Sequence, residues 1–329
     1  MTATTTGHPT IEVRGLTKQF GPVMALRGLD LEVPTGSVFG FLGPNGAGKT
    51  TALSILVGLS RPTAGEVRVL GSDAVKDGMA VRRRIGFLRQ DPRFYNWMTG
   101  RETLQFTGRF FDLDVNECDH LADELLDLVD LSGAADRKMA GYSGGMRQRL
   151  GIAQALMGRP EVLLLDEPSS ALDPAGRFEV LQIMARLAGR TTILYSTHIL
   201  QDVERVADHV AIISEGQRVL QAPMRELLAG GRNDLVLEVE GNPTQLVAAL
   251  RRQPYVIAAE ESTHSTSGFH RIHLQVTDPD AARQSVPPLV VTHDVVFVGL
   301  KSERKTLEDV FLTVTTSANG SRGIRTAGR

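Results

Sequence analysis

Cysteine is almost missing from this chain of 329 residues, with Cys118 the single example. One thiol excludes an internal disulfide and fits a reducing compartment. An excess of one charge sign is missing too. Thirty-six Lys and Arg against 38 Asp and Glu leave a formal net charge of −2, so there is no bulk basic field to hold nucleic acid. Aromatic residues are scarce at 5%, and Trp97 is the one tryptophan. No apolar run approaches the roughly 20 residues needed to span a bilayer. The Thr-rich stretch Met1–Pro9 lacks the basic and apolar regions of a signal peptide. What remains, 42% hydrophobic and 22% charged, is ordinary for a core-forming chain long enough for one large domain and a small one.

Glycine, by contrast, is concentrated where it has a use. Residues 37–42 (Ser-Val-Phe-Gly-Phe-Leu) read as a short buried strand, and Thr51 to Val57 read as a helix that ends at Gly58. Between them lies Gly43-Pro44-Asn45-Gly46-Ala47-Gly48-Lys49-Thr50. A strand, a Gly-rich loop and a helix form the context that a G-x-x-x-x-G-K-[ST] phosphate loop needs. The glycines let successive backbone N–H groups turn into one concavity, and the helix N-terminus adds donors and partial positive charge. Lys49 supplies an ammonium for outer phosphates, and the Thr50 hydroxyl is placed to ligate Mg²⁺.

A second site lies downstream. Val162-Leu163-Leu164-Leu165 is a continuous apolar run, as expected of a strand covered on both faces of a parallel sheet. Asp166 and Glu167 follow where it ends, and Pro168 stops it. Ligands of open α/β sheets sit beyond the carboxyl ends of the strands, so both acids face the phosphates. Asp166 is expected to hold Mg²⁺, and Glu167 to orient or deprotonate an attacking water.

With these two sites in place, the chain resembles the nucleotide-binding subunit of an ATP-binding cassette (ABC) transporter over roughly residues 10–225. Tyr142-Ser143-Gly144-Gly145-Met146-Arg147-Gln148 is similar to the family signature, usually Leu-Ser-Gly-Gly-Gln, and its Tyr-Ser-Gly-Gly-Met form resembles the ABC-2 exporter branch that includes daunorubicin-type drug exporters. The resemblance implies that ATP phosphates are held by Gly43, Asn45, Gly46, Ala47, Gly48, Lys49, Thr50 and Thr51. It implies that Gln90 touches both metal and water, that Asp173 is the D-loop aspartate and that His198 is the switch histidine. Phe20 stands where the family stacks an aromatic on adenine, in place of a more common Tyr. Ser143, Gly144 and Gly145 open a helix through Met146, Leu150, Ala153 and Leu156, and a helix start with small residues is a free anion site. By resemblance it caps the γ-phosphate bound to a second copy, so that two chains bury two ATP molecules between them.

The fold implied is α/β, a P-loop cassette with a RecA-like core sheet, an antiparallel β subdomain and a helical signature subdomain near residues 91–160. The expected organisation is a tail at 1–9, the nucleotide-binding domain at 10–230, a small accessory domain at 231–316 and a tail at 317–329. Strands at Ile11–Val13, Leu29–Val33 and Gly65–Val69, capped helices from Thr99 and at Asn116–Leu131, and a helix from Asp173-Pro174 are predicted in the large part. Beyond the break at Ala229–Asn233, a β-α-β-β-α-β order with a trailing helix from Thr306 predicts a ferredoxin-like α+β domain, including a short stretch near Ala281–Val286. It holds no catalytic set, and a regulatory or dimer-supporting part is expected of it. Phe94, Tyr95, Trp97 and Met98 are either a partner site or core of the helical insert.

The expected function is an ATP-hydrolysing subunit that dimerises through nucleotide and energises separate integral-membrane permease chains. Its expected place is cytoplasmic, peripheral on the inner membrane face, with no nucleic-acid partner. A soluble ABC ATPase acting on ribosomes or DNA is the alternative, although the chain carries one cassette and no long coiled-coil insertion. A non-hydrolysing sensor would show decay at Lys49, Glu167 or His198, and all three are intact.

Overall fold

Two long strands, β1 (Ile11–Phe20) and β2 (Val23–Val33), open the computed structural model, which describes residues 9–228, 234–262, 269–293, 295–302 and 306–311. The expectations for residues 1–8, for the break at 229–233 and for the tail at 317–329 lie outside the described residues. Both strands run well past the short stretches read from sequence. The end of β1 after Val13 and the start of β2 before Leu29 are largely exposed or half-buried and carry no regular apolar alternation to betray them. A register irregularity between Val13 and Leu16, with Gly15 at φ +55°, returns Leu16 to the buried face. After β3 (Val38–Leu42) and α1 (Lys49–Leu56) come β4 (Ala64–Val69) and the two-residue β5 (Ser72–Asp73). The antiparallel sheet runs in the order β2-β1-β4-β5.

A short α2 (Gly78–Arg82) leads to β6 (Ile85–Leu88), and a helical stretch follows. It comprises α3 (Gly100–Gly108), α4 (Val115–Leu128) and α5 (Gly144–Leu156). Thr99 closes a capping box with Glu102 on α3, as its sequence predicts. The second helix starts one residue before its expected position, because Asp114 makes the same box with Glu117. In the stretch between β6 and α3, Met98 is buried, whereas Tyr95 and Trp97 are 60% and 68% exposed with ring centroids 5.7 Å apart. The aromatic stretch is thus divided between core and surface.

Then β7 (Val162–Asp166), α6 (Pro174–Leu187), β8 (Thr192–Thr197), α7 (Leu200–Val206), β9 (His209–Ser214), β10 (Gln217–Pro223) and α8 (Met224–Leu228) follow. The central sheet has the order β10-β9-β3-β8-β7-β6, with β10 antiparallel at its edge and the other five strands parallel. Every residue of β3, β7 and β8 is buried, which is why these strands read as unbroken apolar runs. Parallel pairing in matched register brings their carboxyl ends level: Leu42 faces Thr197, Asp166 faces Ser196, and Leu88 faces Leu165. Four separated loops therefore start from one sheet edge.

A second compact unit begins at Arg225. It holds β11 (Asp234–Glu240), α9 (Thr244–Leu250), β12 (Val256–Glu261), β13 (Phe269–Val276), α10 (Pro279–Val291) and β14 (Val296–Ser302). The sheet order is β12-β13-β11-β14, all antiparallel, which is the ferredoxin-like arrangement expected from the β-α-β-β-α-β order. Leu235, Leu237, Ile272, Leu274, Leu246 and Val286 belong to its own core. The helix expected near Ala281–Val286 is longer than its sequence indicates, because α10 continues through Pro287 and Pro288 despite their missing donors. Residues 307–311 are helical.

Candidate active site

The loop after β3 is shaped by close backbone approaches that only glycine permits. A Cβ on Gly43 would stand 2.4 Å from the Ile213 carbonyl oxygen. Gly48 is at φ +104°, and a Cβ there would meet the Ala25 carbonyl oxygen at 2.7 Å. The loop is also pinned from behind: Gly43 N–H donates to the Thr197 carbonyl at 3.2 Å, and the Ala47 carbonyl accepts from Gly216 N–H at 3.0 Å. These contacts hold the backbone at the start of α1, where its free N–H groups and partial positive charge favour anions.

Two buried charges face each other across this loop. Lys49 Nζ lies 3.1 Å from Glu167 Oε1, with the side chains 5% and 6% exposed. The same ammonium donates to the carbonyls of Gly43 (2.7 Å) and Pro44 (3.2 Å). Glu167 Oε2 is 2.8 Å from His198 Nδ1, on a ring that remains partly open to solvent. The Glu167 backbone sits at φ +49°, in the left-handed region that a side chain rarely adopts.

Beside it, the Asp166 carboxylate is held by two hydroxyls. Thr50 Oγ1 donates to Asp166 Oδ1 at 3.1 Å, and Ser196 Oγ donates to the same oxygen at 2.6 Å. Ser196 Oγ in turn accepts from Glu167 N–H at 2.9 Å. Ser196 is absent from the sequence-derived site. Its signal was a hydroxyl inside a fully buried apolar strand, which must find a partner, but the partner's identity depends on β7 being the next strand.

Two adjoining cavities open on these groups. The first, about 350 Å³, is lined by Ala25, Asn45, Gly46, Gly48, Lys49, Thr50, Thr51, Gln90 and Glu167. The second, about 740 Å³, shares Thr50, Thr51 and Gln90 and adds Phe20, Leu59, Arg89 and Asp166 among others. Phe20 is half exposed at its rim, with Lys18 Nζ 4.7 Å from the ring centroid. The fold thus gathers Lys49, Thr50, Asp166, Glu167, His198 and Gln90 from four strand ends.

Other expected residues stand apart from both cavities. Ser143 caps α5, its hydroxyl accepting from Met146 N–H at 3.2 Å, and Ser143 and Gly144 are exposed. The exposed Asp173 caps α6 by accepting from Gly176 N–H at 2.9 Å. Tyr142, which replaces the usual signature leucine, is buried and donates its hydroxyl to the Ala134 carbonyl at 2.7 Å. It thereby ties the exposed turn before α5 into the helical stretch, and burial raises its phenol above the ordinary value.

The profile of a family described as ABC transporter matches residues 26–170. An ABC transporter ATP-binding protein of Bacillus subtilis, YxlF, is 38% identical across 92% of this chain and 99% of its own length. Daunorubicin resistance ATP-binding protein DrrA3 of Streptomyces coeruleorubidus is also 38% identical, across 93% of this chain and 95% of its own. Among solved structures, a dimeric ATP-binding cassette in a post-hydrolysis state with ADP and Pi superposes with a TM-score of 0.59 at 27% identity, covering 65% of this chain and 99% of that one.

Proposed function

Because the chain belongs to the ATP-binding subunits of ABC transporters, we propose that it drives an ABC-2 type exporter by closing and reopening a head-to-tail homodimer on ATP. It is an ATP hydrolase. The observation that carries the reading is the convergence of Lys49, Glu167 and His198 at one sheet edge, beside the Thr50–Asp166–Ser196 cluster.

Each group has a role that suits its place. Lys49 and the backbone N–H groups of Gly46 and of Gly48 to Thr51 hold the β- and γ-phosphates. Glu167 takes the proton of the attacking water. The His198 imidazole stands beside the Glu167 carboxylate and donates to a γ-phosphate oxygen when ATP is bound. Thr50 and Asp166 fit Mg²⁺, since a hydroxyl and a carboxylate 3.1 Å apart offer the oxygen donors that a hard cation prefers, with Gln90 nearby. When bound, the ion would supply charge neutralisation on the phosphate oxygens. Phe20 stacks on adenine at the cavity rim.

Ser143, Gly144, Gly145 and Asp173 serve the second copy. The start of α5 at Ser143 and Gly144 is exposed, with donors and no bulky side chain in front, as a surface completing another chain's phosphate site requires. Among the described residues no helix is long and apolar enough to cross a membrane. In the proposed exporter the membrane path belongs to a separate permease, which docks near the exposed Tyr95 and Trp97. On this reading the chain works at the cytoplasmic face of the membrane. Relatives matched along nine-tenths of the chain are named for drug resistance, so the ribosome or DNA alternative is not favoured.

Glu167→Gln tests the reading. Turnover should fall at least about a hundredfold, and light scattering should detect a dimer with Mg-ATP but a monomer with Mg-ADP. Turnover at the wild-type rate would overturn it.

A further inference from the structure

The left-handed backbone of Glu167 needs neighbours that fix it. On one side Ser196 accepts its N–H. On the other, Ser170 returns both its N–H (3.3 Å) and its hydroxyl (3.2 Å) to the Glu167 carbonyl. Between them Ser169 points away from the nucleotide cavities. Its hydroxyl donates at 2.6 Å to Asp202 Oδ2, and the two residues are 2% and 1% exposed.

Asp202 lies in the first turn of α7, four residues past His198. Its other oxygen, Oδ1, is 3.2 Å from Arg177 Nε on α6, the helix capped by Asp173. Its backbone carbonyl accepts from the Tyr195 hydroxyl at 3.4 Å, and Tyr195 belongs to the strand that carries Ser196. One buried carboxylate therefore joins three segments: the turn after Glu167, the helix after Asp173 and the helix after His198. A buried ion pair is weak evidence for stability by itself, whereas a tie between two segments that each carry a reacting-site residue fixes their spacing.

We infer that Asp202 is a positioning residue for hydrolysis, holding the turn after Glu167 through Ser169 and thereby the 2.8 Å spacing of Glu167 and His198. The inference rests on the roles given above to Glu167 and His198. Neither Ser169, Asp202 nor Arg177 lines a nucleotide cavity. Loss of the tie must therefore act on turnover and not on ATP binding.

Steady-state ATPase assays of the full chain test this with Ser169→Ala, Asp202→Ala and the double variant. Each single change should lower kcat about tenfold or more, with KM for ATP held within about twofold. The double variant should be no slower than the slower single one, because both changes cut the same link. Ser169→Ala removes one hydroxyl and leaves Asp202 its Arg177 partner, so it decides the matter even if Asp202→Ala fails to fold. A kcat for Ser169→Ala within about twofold of wild type, a change confined to KM, or multiplied losses in the double variant would overturn the inference. Glu167→Gln assayed alongside separates the two levels: if it retains turnover, the role of Glu167 fails first.

Discussion

Ser196 does two jobs with one hydroxyl. It donates to Asp166 and accepts from the Glu167 N–H, and it is fully buried. Removing the hydroxyl leaves the buried Glu167 N–H without that acceptor and Asp166 Oδ1 with Thr50 as its remaining hydroxyl donor. Ser196→Ala should cost about 1–3 kcal/mol of stability, measured by denaturant unfolding, and should slow ATP turnover as well. An unchanged unfolding midpoint would mean that another acceptor, or water, takes the Glu167 N–H. The left-handed conformation of Glu167 makes that exchange hard, because its N–H direction is fixed by the turn that follows.

At the scale of the element, the parallel sheet depends on how its strands begin. Arg84, just before β6, forks onto Glu161, just before β7, at 2.5 and 2.8 Å, and the Arg84 carbonyl accepts the Glu161 N–H at 3.0 Å. This pair sets the register that brings Gln90 and Asp166 to one edge. The bond to Arg84 holds the Glu161 carboxyl below its ordinary 4.5. A lowered carboxyl contributes stability that is present above the unfolded value and lost as pH falls through the folded one. Both side chains are about half exposed, so solvent screens the pair and Glu161→Gln should cost only about 0.5 kcal/mol at neutral pH. The difference from wild type should narrow as pH falls toward 4 and below. Unfolding curves at a series of pH values check the sign, and a gap that widens in acid would contradict it.

At the scale of the whole molecule, the chain forms two compact units with separate apolar cores. Both cavities proposed for the nucleotide are lined by residues between Phe20 and Glu167, within the first unit. ATP at a hundred times its Kd should stabilise that unit by about 2.7 kcal/mol. Calorimetry of the full chain should then resolve two transitions, of which ATP raises one. Deleting residues 232–329 should remove the transition that ATP leaves in place. A single transition that moves as a whole would show that the two cores unfold together. The phosphate loop, the Asp166–Glu167 pair and the buried strands before them were legible in the chain. Backbone geometry and burial there demand particular residue types, and those demands are local. The end of β1 and the start of β2 were not legible, because a largely solvent-facing stretch imposes no regular apolar period. Nor was the continuation of α10 through two prolines. Sequence by itself determined which strands must be buried and which loop offers donors suited to phosphate, since these follow from each residue's own chemistry. Only the tertiary structure decided that Ser196 bridges Asp166 and Glu167, and that Asp202 ties the turns beside them, because pairing across the sheet is a property of strand order and not of neighbours in the chain.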